Sequence, residues 1–228
     1  MIILDKNQPQ RMDSNRPIRC FQHCDDRQVL CLDMPSRCPL CDVTLQSSPM
    51  RVPPFRLESP FKHSADVPQS FVIRPADGAD YGTCRLHVDD LHVGISDSSS
   101  GTVVHYNHNG LNIDTQGWQQ VLAVRFSAAT SAQQAQNWDT ALRQFATQTK
   151  WSASNYNENS NNCFTFALEF LKHVTTTANS DYTQHKAFEA TEFCKRYVIA
   201  TVDKASKYLQ LLTTINDEGY AIQDHVFS

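Results

Sequence analysis

The sequence predicts an α+β protein in which a small cysteine-rich lobe precedes a larger domain of antiparallel strands and helices. Three observations carry this. Five of the eight cysteines crowd between Cys20 and Cys41. Short β-rich runs separated by turn residues fill Phe71 to Phe126, and apolar residues at helical spacing take over from Ala132 onward. At 228 residues the chain has room for one full-sized domain and an appendage. A net charge of −4 and a pI near 6.1 argue against a nucleic-acid partner, whose surface would call for a basic balance. No apolar run nears the ~20 residues needed for a transmembrane helix. The opening MIILDKNQPQR also lacks the basic-then-apolar order of a signal peptide. The expected compartment is the cytoplasm, or the nucleus, where cysteines stay reduced. Clustered cysteines there suggest metal, and a solitary one suggests core or catalysis.

In the lobe, over 17–45, the strongest feature is Cys38-Pro39-Leu40-Cys41. Its Pro and Leu suit a tight knuckle that aims two thiolates at one ion. Cys20 and Cys24 are the expected partner pair, with His23 and Cys31 as alternates. Val29, Leu30 and Leu32 supply a short hairpin between the two knuckles of a zinc-ribbon-like lobe. A closed, structural zinc would contribute folding energy to a segment too small for its own core. The plainer reading is a set of buried, unligated cysteines.

Residues 46–70 carry five prolines, Pro49, Pro53, Pro54, Pro60 and Pro68, and read as a connector lying along the main domain. The main domain is expected over 71–228. Phe71-Val72-Ile73 reads as a strand. Leu91 to Ile95 and Thr102 to Tyr106 are two more, joined by the loop composition SDSSSG. A hairpin centred between Ser98 and Ser99 would set His92 directly opposite His105. Gly94 on that face would leave room for another element. His87, set apart by Asp89 and Asp90, and His108, in a turn, are lesser candidates. Leu111 to Ile113 and Trp118 to Phe126 supply further strands.

Ala135, Trp138, Leu142, Phe145 and Ala146 recur at helical spacing, as do Phe164, Phe166, Ala167, Phe170, Leu171 and Val174. Asn and Ser residues immediately precede the second run, as N-caps do. Cys163 therefore opens a helix, where the dipole and free N–H groups favour thiolate. An imidazole from His92 could hold that thiolate and later protonate a leaving group, with His105 orienting it. Thr175 to Gln184 reads as a loop. Phe188 to Ile215 reads as one long or broken helix, with Cys194 in its packing stripe.

The stretches LHVGISDSSSGTVVHYNHNGL and YNENSNNCFTFALEFL resemble the permuted papain-like cysteine hydrolases and acyltransferases. In the lecithin:retinol acyltransferase group, a strand opening with His and a following VVH precede an NC-x-x-F helix. His92, Val103-Val104-His105, and Asn162-Cys163 with Phe166 stand at those places. In the deSUMOylating isopeptidase-like group, an H-x-x-I strand precedes a helix opening NNCNTF. His92 with Ile95, and Asn161-Asn162-Cys163-Phe164-Thr165-Phe166, match that order. The resemblance implies a permuted papain-like antiparallel sheet with helices. It also implies Cys163 as nucleophile toward an ester, thioester or (iso)peptide carbonyl, His92 as base and then acid, and His105 as its orienting partner. Phe164 departs from both groups, which have a polar residue there. Through its HC…CPLC opening, YNENSNNCF-x-F and EFCKRYV, nearly the whole chain resembles the makorin-2 opposite strand protein family. The expected partner is an acyl-bearing substrate or another protein. The second expectation is a catalytically inactive papain-like pseudoenzyme serving as a protein-interaction module.

Overall fold

The computed structural model describes residues 16–78, 81, 91–125, 132–177 and 189–224, the side chains of 132, 133, 135 and 175–177 excepted. The protein is α+β with two antiparallel sheets. It divides into two units, Met1–Pro60 with Ser206–Ser228, and Phe61–Ala205.

The first unit is built on β1 (Ile18–Gln22), β2 (Gln28–Cys31) and β3 (Val52–Leu57), and the chain later adds β9 (Ala221–Gln223), giving the order β3-β1-β2-β9. Phe21, Val29, Cys31, Cys38 and Leu45 form its core, with Met34, Leu40, Met50 and Tyr220 packed against them. Two expectations are corrected here. The proline-rich stretch 46–70 is not all connector, because β3 pairs with β1 at Cys20↔Phe55 and Gln22↔Val52. The register slips between those pairs, where Pro53 and Pro54 face the single residue Phe21. Proline is tolerated there because β3 is the sheet's edge and the slip is a bulge, so no ladder donor is missed. The lobe also extends beyond 17–45, since Val29↔Ile222 and Leu30↔Ala221 bring the end of the chain into its sheet.

The second unit is built on β4 (Ser70–Pro75), β5 (Leu91–Ser96), β6 (Val103–Asn107), β7 (Gly110–Asp114) and β8 (Leu122–Arg125), in the order β7-β6-β5-β4-β8. Pairing at Phe71↔Ile95, Val72↔Gly94, Ile73↔Val93 and Arg74↔His92 assigns every side chain of β4 and β5 to a face. One face carries Val72, Arg74, His92 and Gly94; Val72 joins Val103, Val67, Val121 and Trp118 in a buried cluster. The other carries Phe71, Ile73, Val93 and Ile95, and Phe71 meets Phe164 and Phe193 at ring-centroid distances of 5.9 and 4.9 Å.

Two helices follow, α1 (Ala132–Ala146) and α2 (Cys163–Thr177). Trp138 of α1 packs edge-on against Phe170 of α2 at 5.0 Å and donates its indole N–H to the Ser96 carbonyl at 3.1 Å. Phe145, Trp151 and Phe166 continue the same aromatic seam. Helix α2 runs to Thr177, so the first three residues of the loop expected over Thr175 to Gln184 are helical, and the rest of that expectation lies outside the described residues. Residues 190–218 are helical throughout but not uniform. After α3 (Ala190–Phe193) come a π-helical stretch, Cys194–Ile199, and α4 (Ala200–Glu218). Among the described residues no helix is long and apolar enough to cross a membrane.

Candidate functional site

The β5–β6 hairpin determines which histidines meet. Asp97 N–H donates to Thr102 O at 2.9 Å, and the ladder continues at Ser96↔Val103 and Ile95↔Val104. The turn is therefore centred between Ser99 and Ser100, not between Ser98 and Ser99. Asp97 sets this centre, because its Oδ1 accepts the N–H groups of Ser99 and Ser100 in an Asx-type turn. Gly101 completes the turn at φ +72°, a left-handed conformation that glycine adopts freely. The register moves by two residues, which keeps each side chain on its expected face. His105 then lies across from Gly94, where a Cβ would come within 3.1 Å of the His105 Cβ and 2.5 Å of Val103 Cγ1. His92, two residues along β5, reaches His105 diagonally across the space glycine leaves. His92 Nε2 and His105 Nδ1 are 2.8 Å apart, with the rings at 88°.

The same diagonal step repeats on the next strand. His105 pairs with Asn112 and Val103 with Asp114, so Asp114 shares the face of His105. Asp114 Oδ2 lies 2.8 Å from His105 Nε2. Asp114, His105 and His92 thus form a chain that begins at a half-exposed carboxylate (50% of its side chain accessible) and passes through an imidazole only 2% exposed. Trp118 covers it, with ring centroids 5.8 Å from His92 and 5.2 Å from His105. The Arg74 guanidinium stacks on the Trp118 ring at 4.4 Å and donates to Gly117 O at 2.9 Å. Burial, then the neighbouring His105 and Arg74, push the His92 pKa down to about 3. Burial also lowers that of His105, and Asp114 only partly offsets it. Both rings are neutral near pH 7.

Cys163 approaches the same strand from α2. Asn162 is the N-cap: its Oδ1 accepts the Thr165 N–H at 3.1 Å, and Thr165 Oγ1 accepts the Asn162 N–H at 3.4 Å, a reciprocal capping box. This places Cys163 in the first turn, 7% exposed. Burial raises its pKa from the usual thiol range, while the N–H groups of Val93, Phe164 and Cys163 itself aim at the sulfur and oppose the rise. The Val93 N–H is available for a topological reason. Asp97 N–H points at β6, so by alternation Val93 N–H does too, and the β5–β6 ladder stops at Ile95. Val93 directly follows His92, so the sulfur sits beside the strand segment that carries the first imidazole. Among the described residues no hydrogen bond joins that sulfur to either imidazole, and Cys163 and His92 are a neutral thiol and a neutral ring. Phe164 is half-buried and turns toward Phe71. His87 lies outside the described residues, and His108 is exposed.

The sequence reading missed Asp114, Arg74 and Trp118. Asp114 carried one usable signal, its even spacing from Asn112 along β7.

The second cluster lies in the first unit. Ligand atoms of His23, Cys24, Cys38 and Cys41 all fall within 4.8 Å of one another and could hold a metal ion. Cys24 Sγ and Cys38 Sγ are 3.9 Å apart, and Cys41 Sγ and His23 Nδ1 are 3.3 Å apart. Tetrahedral zinc with Zn–S bonds of about 2.3 Å requires S···S edges of roughly 3.8 Å, so the spacing suits such an ion. The histidine is also correctly presented. Ser48 Oγ gives its hydrogen to Thr44 O at 2.9 Å and so accepts from His23 Nε2 at 2.8 Å, leaving Nδ1 bare beside the thiols. The knuckle closes with Asp42 N–H on Cys38 O at 2.8 Å, Asp42 at φ 58°, and Arg37 on the Asp42 carbonyl at 2.7 Å.

Cys20 is not part of this cluster, contrary to expectation, and His23 stands in its place. Cys20 is on β1, buried, with its sulfur 3.3 Å from Gln28 Oε1. Burial pushes its pKa up to about 11, and does the same to Cys31 on β2, so both are held as thiols. A strand cannot turn its side chains toward a knuckle as the β1–β2 turn turns His23 and Cys24.

No solved structure matches this chain. MKRN2 opposite strand protein of Homo sapiens is 28% identical over 207 residues, covering 90% of this chain and 88% of that protein. The family model DUF4796 N-terminal matches residues 16–45, the cysteine-rich segment, and DUF4796 C-terminal matches residues 54–215, which include β5, β6 and Cys163. The chain belongs to the DUF4796 family.

Proposed function

We propose that Phe61–Ala205 is a permuted papain-like thiol-dependent hydrolase or acyltransferase unit. The observation that carries this reading is the Cys163 sulfur at a capped helix start, where the N–H of Val93, the residue that follows His92, favours its thiolate, while His92 heads the chain to His105 and Asp114. Cys163 attacks an ester, thioester or (iso)peptide carbonyl as its proton passes to His92, and a C–S bond forms. The bond to the leaving group breaks, and the leaving group takes that proton. Water or an acceptor then attacks the acyl-thioester and gives a proton to His92, and the thiol is regenerated. Backbone N–H groups at the start of α2 stabilise the developing oxyanion. Because thiol and imidazole rest neutral, the proton moves during attack and not before it.

A small thiol electrophile tests this. Cys163 is expected to alkylate faster than it does in His92→Ala near pH 7. Equal rates remove His92 from the chemistry.

A second reading draws on the 7% exposure and raised pKa of Cys163. On it the unit is a pseudoenzyme that binds a protein partner without turnover. On either reading we place a structural zinc on His23, Cys24, Cys38 and Cys41 in a zinc-ribbon-like lobe, and the protein in the cytoplasm or nucleus.

A further inference from the structure

We propose that Asp114 fixes the tautomers of both imidazoles, so that His92 Nδ1 is held bare as the proton-accepting atom of the site. This deepens the hydrolase or acyltransferase reading, but its tautomer half stands without it. An ionised carboxylate only accepts hydrogen bonds. At 2.8 Å from Asp114 Oδ2, His105 Nε2 therefore carries the hydrogen. A neutral imidazole has one N–H, so His105 Nδ1 is bare and accepts at 2.8 Å from His92 Nε2. His92 has then committed its hydrogen to Nε2, and its Nδ1 is a lone pair. The polarity of the chain runs one way because its solvent end is a carboxylate. Burial under Trp118, with the Arg74 guanidinium stacked on that ring, opposes a second proton on either imidazole.

The distinction has consequences for catalysis. With the opposite polarity His92 would present Nδ1–H and could not accept the Cys163 proton. Asp114 touches neither thiol nor substrate, so it is a positioning residue acting through two hydrogen bonds. Its place at the end of edge strand β7, with half its side chain in water, makes its removal a local change.

Correlation spectra of the histidine ring nitrogens in the full-length protein near pH 7 test this. The expected wild-type result is a single tautomer for each ring, Nε2–H for both His92 and His105. Asp114→Ala and the near-isosteric Asp114→Asn are expected to introduce an Nδ1–H population at His105, and Asp114→Glu to suppress it. Cys163 alkylation is expected to fall about 10- to 100-fold in the first two variants and to recover in the third. Nδ1–H on wild-type His92, or unchanged tautomers in both Asp114→Ala and Asp114→Asn, overturns the assignment. Tautomers as expected with no difference in alkylation would leave Asp114's control of the rings standing and remove the thiol chemistry.

Discussion

The protein gathers histidine and cysteine twice, and the two gatherings differ in what holds them. In the amino-terminal lobe, His23, Cys24, Cys38 and Cys41 come from two turns, and their donor atoms converge on one point. In the second unit, Asp114, His105 and His92 come from three adjacent strands, and their atoms form a line. Convergence of lone pairs suits a cation, because each donor needs the same partner. A line of alternating donors and acceptors satisfies itself and leaves one free atom at its end. Turn residues can be aimed at a common centre, while strand residues on one face can only be stepped along it.

The largest predicted effect lies in the lobe. Zinc content near one equivalent is expected by metal analysis. Chelation or Cys38→Ser should unfold the lobe, since structural zinc supplies roughly 10 kcal/mol or more in small metal-folded units. Circular dichroism and tryptic cleavage within 16–60 would report it, and a lobe unchanged by chelation breaks the convergent half of the comparison. The linear half is sharpened by Gly94→Ala. Its added methyl would meet Val103 Cγ1 at 2.5 Å, so a loss of about 1–3 kcal/mol in denaturant unfolding is expected. A neutral result would mean that His92 does not need this gap to reach His105. Next is the pair His23→Ala and Cys20→Ala. The first should lower zinc stoichiometry; the second should leave it unchanged and cost about 1 kcal/mol for a small cavity.

The pH dependence has a definite sign. The folded His92 pKa lies at about 3, below its ordinary 6.5, so the unfolded chain binds the proton first as pH falls. This stability is present above 6.5 and is lost as pH drops toward 3. His92→Gln should lose less stability over that window than wild type does. For Cys163 the folded pKa is raised above 9.0, so its contribution is present below 9.0 and is lost as pH rises past it. Wild type should therefore lose more stability than Cys163→Ala above pH 9.0.

Much of this was legible because short-range chemistry controlled it. The Cys38-Pro-Leu-Cys41 knuckle, the Asn162 cap and the shared face of His92 and His105 each depend on spacing within one element or one hairpin. The hairpin centre was misjudged because Asp97 captures the Ser99 and Ser100 amides, so the serine-rich loop is not symmetric. An even slip hid the error, leaving both histidines on the expected face. Cys20 was misassigned because spacing says nothing about whether a cysteine lies in a strand or in the turn after it. Asp114 was not singled out, since the β6–β7 register is what puts it beside His105. The three-residue strand β9 carries too little periodicity to announce itself, and its partner β2 lies at the other end of the chain.

The central claim is that Cys163 is a nucleophile served by His92. Intact-mass measurement after brief exposure to an acyl thioester, with peptide mapping of the product, tests it most directly. One acyl group on Cys163 is expected, formed in wild type and absent from Cys163→Ser and His92→Ala. Acylation spread over the lobe cysteines, or equal on Cys163 with and without His92, would contradict it.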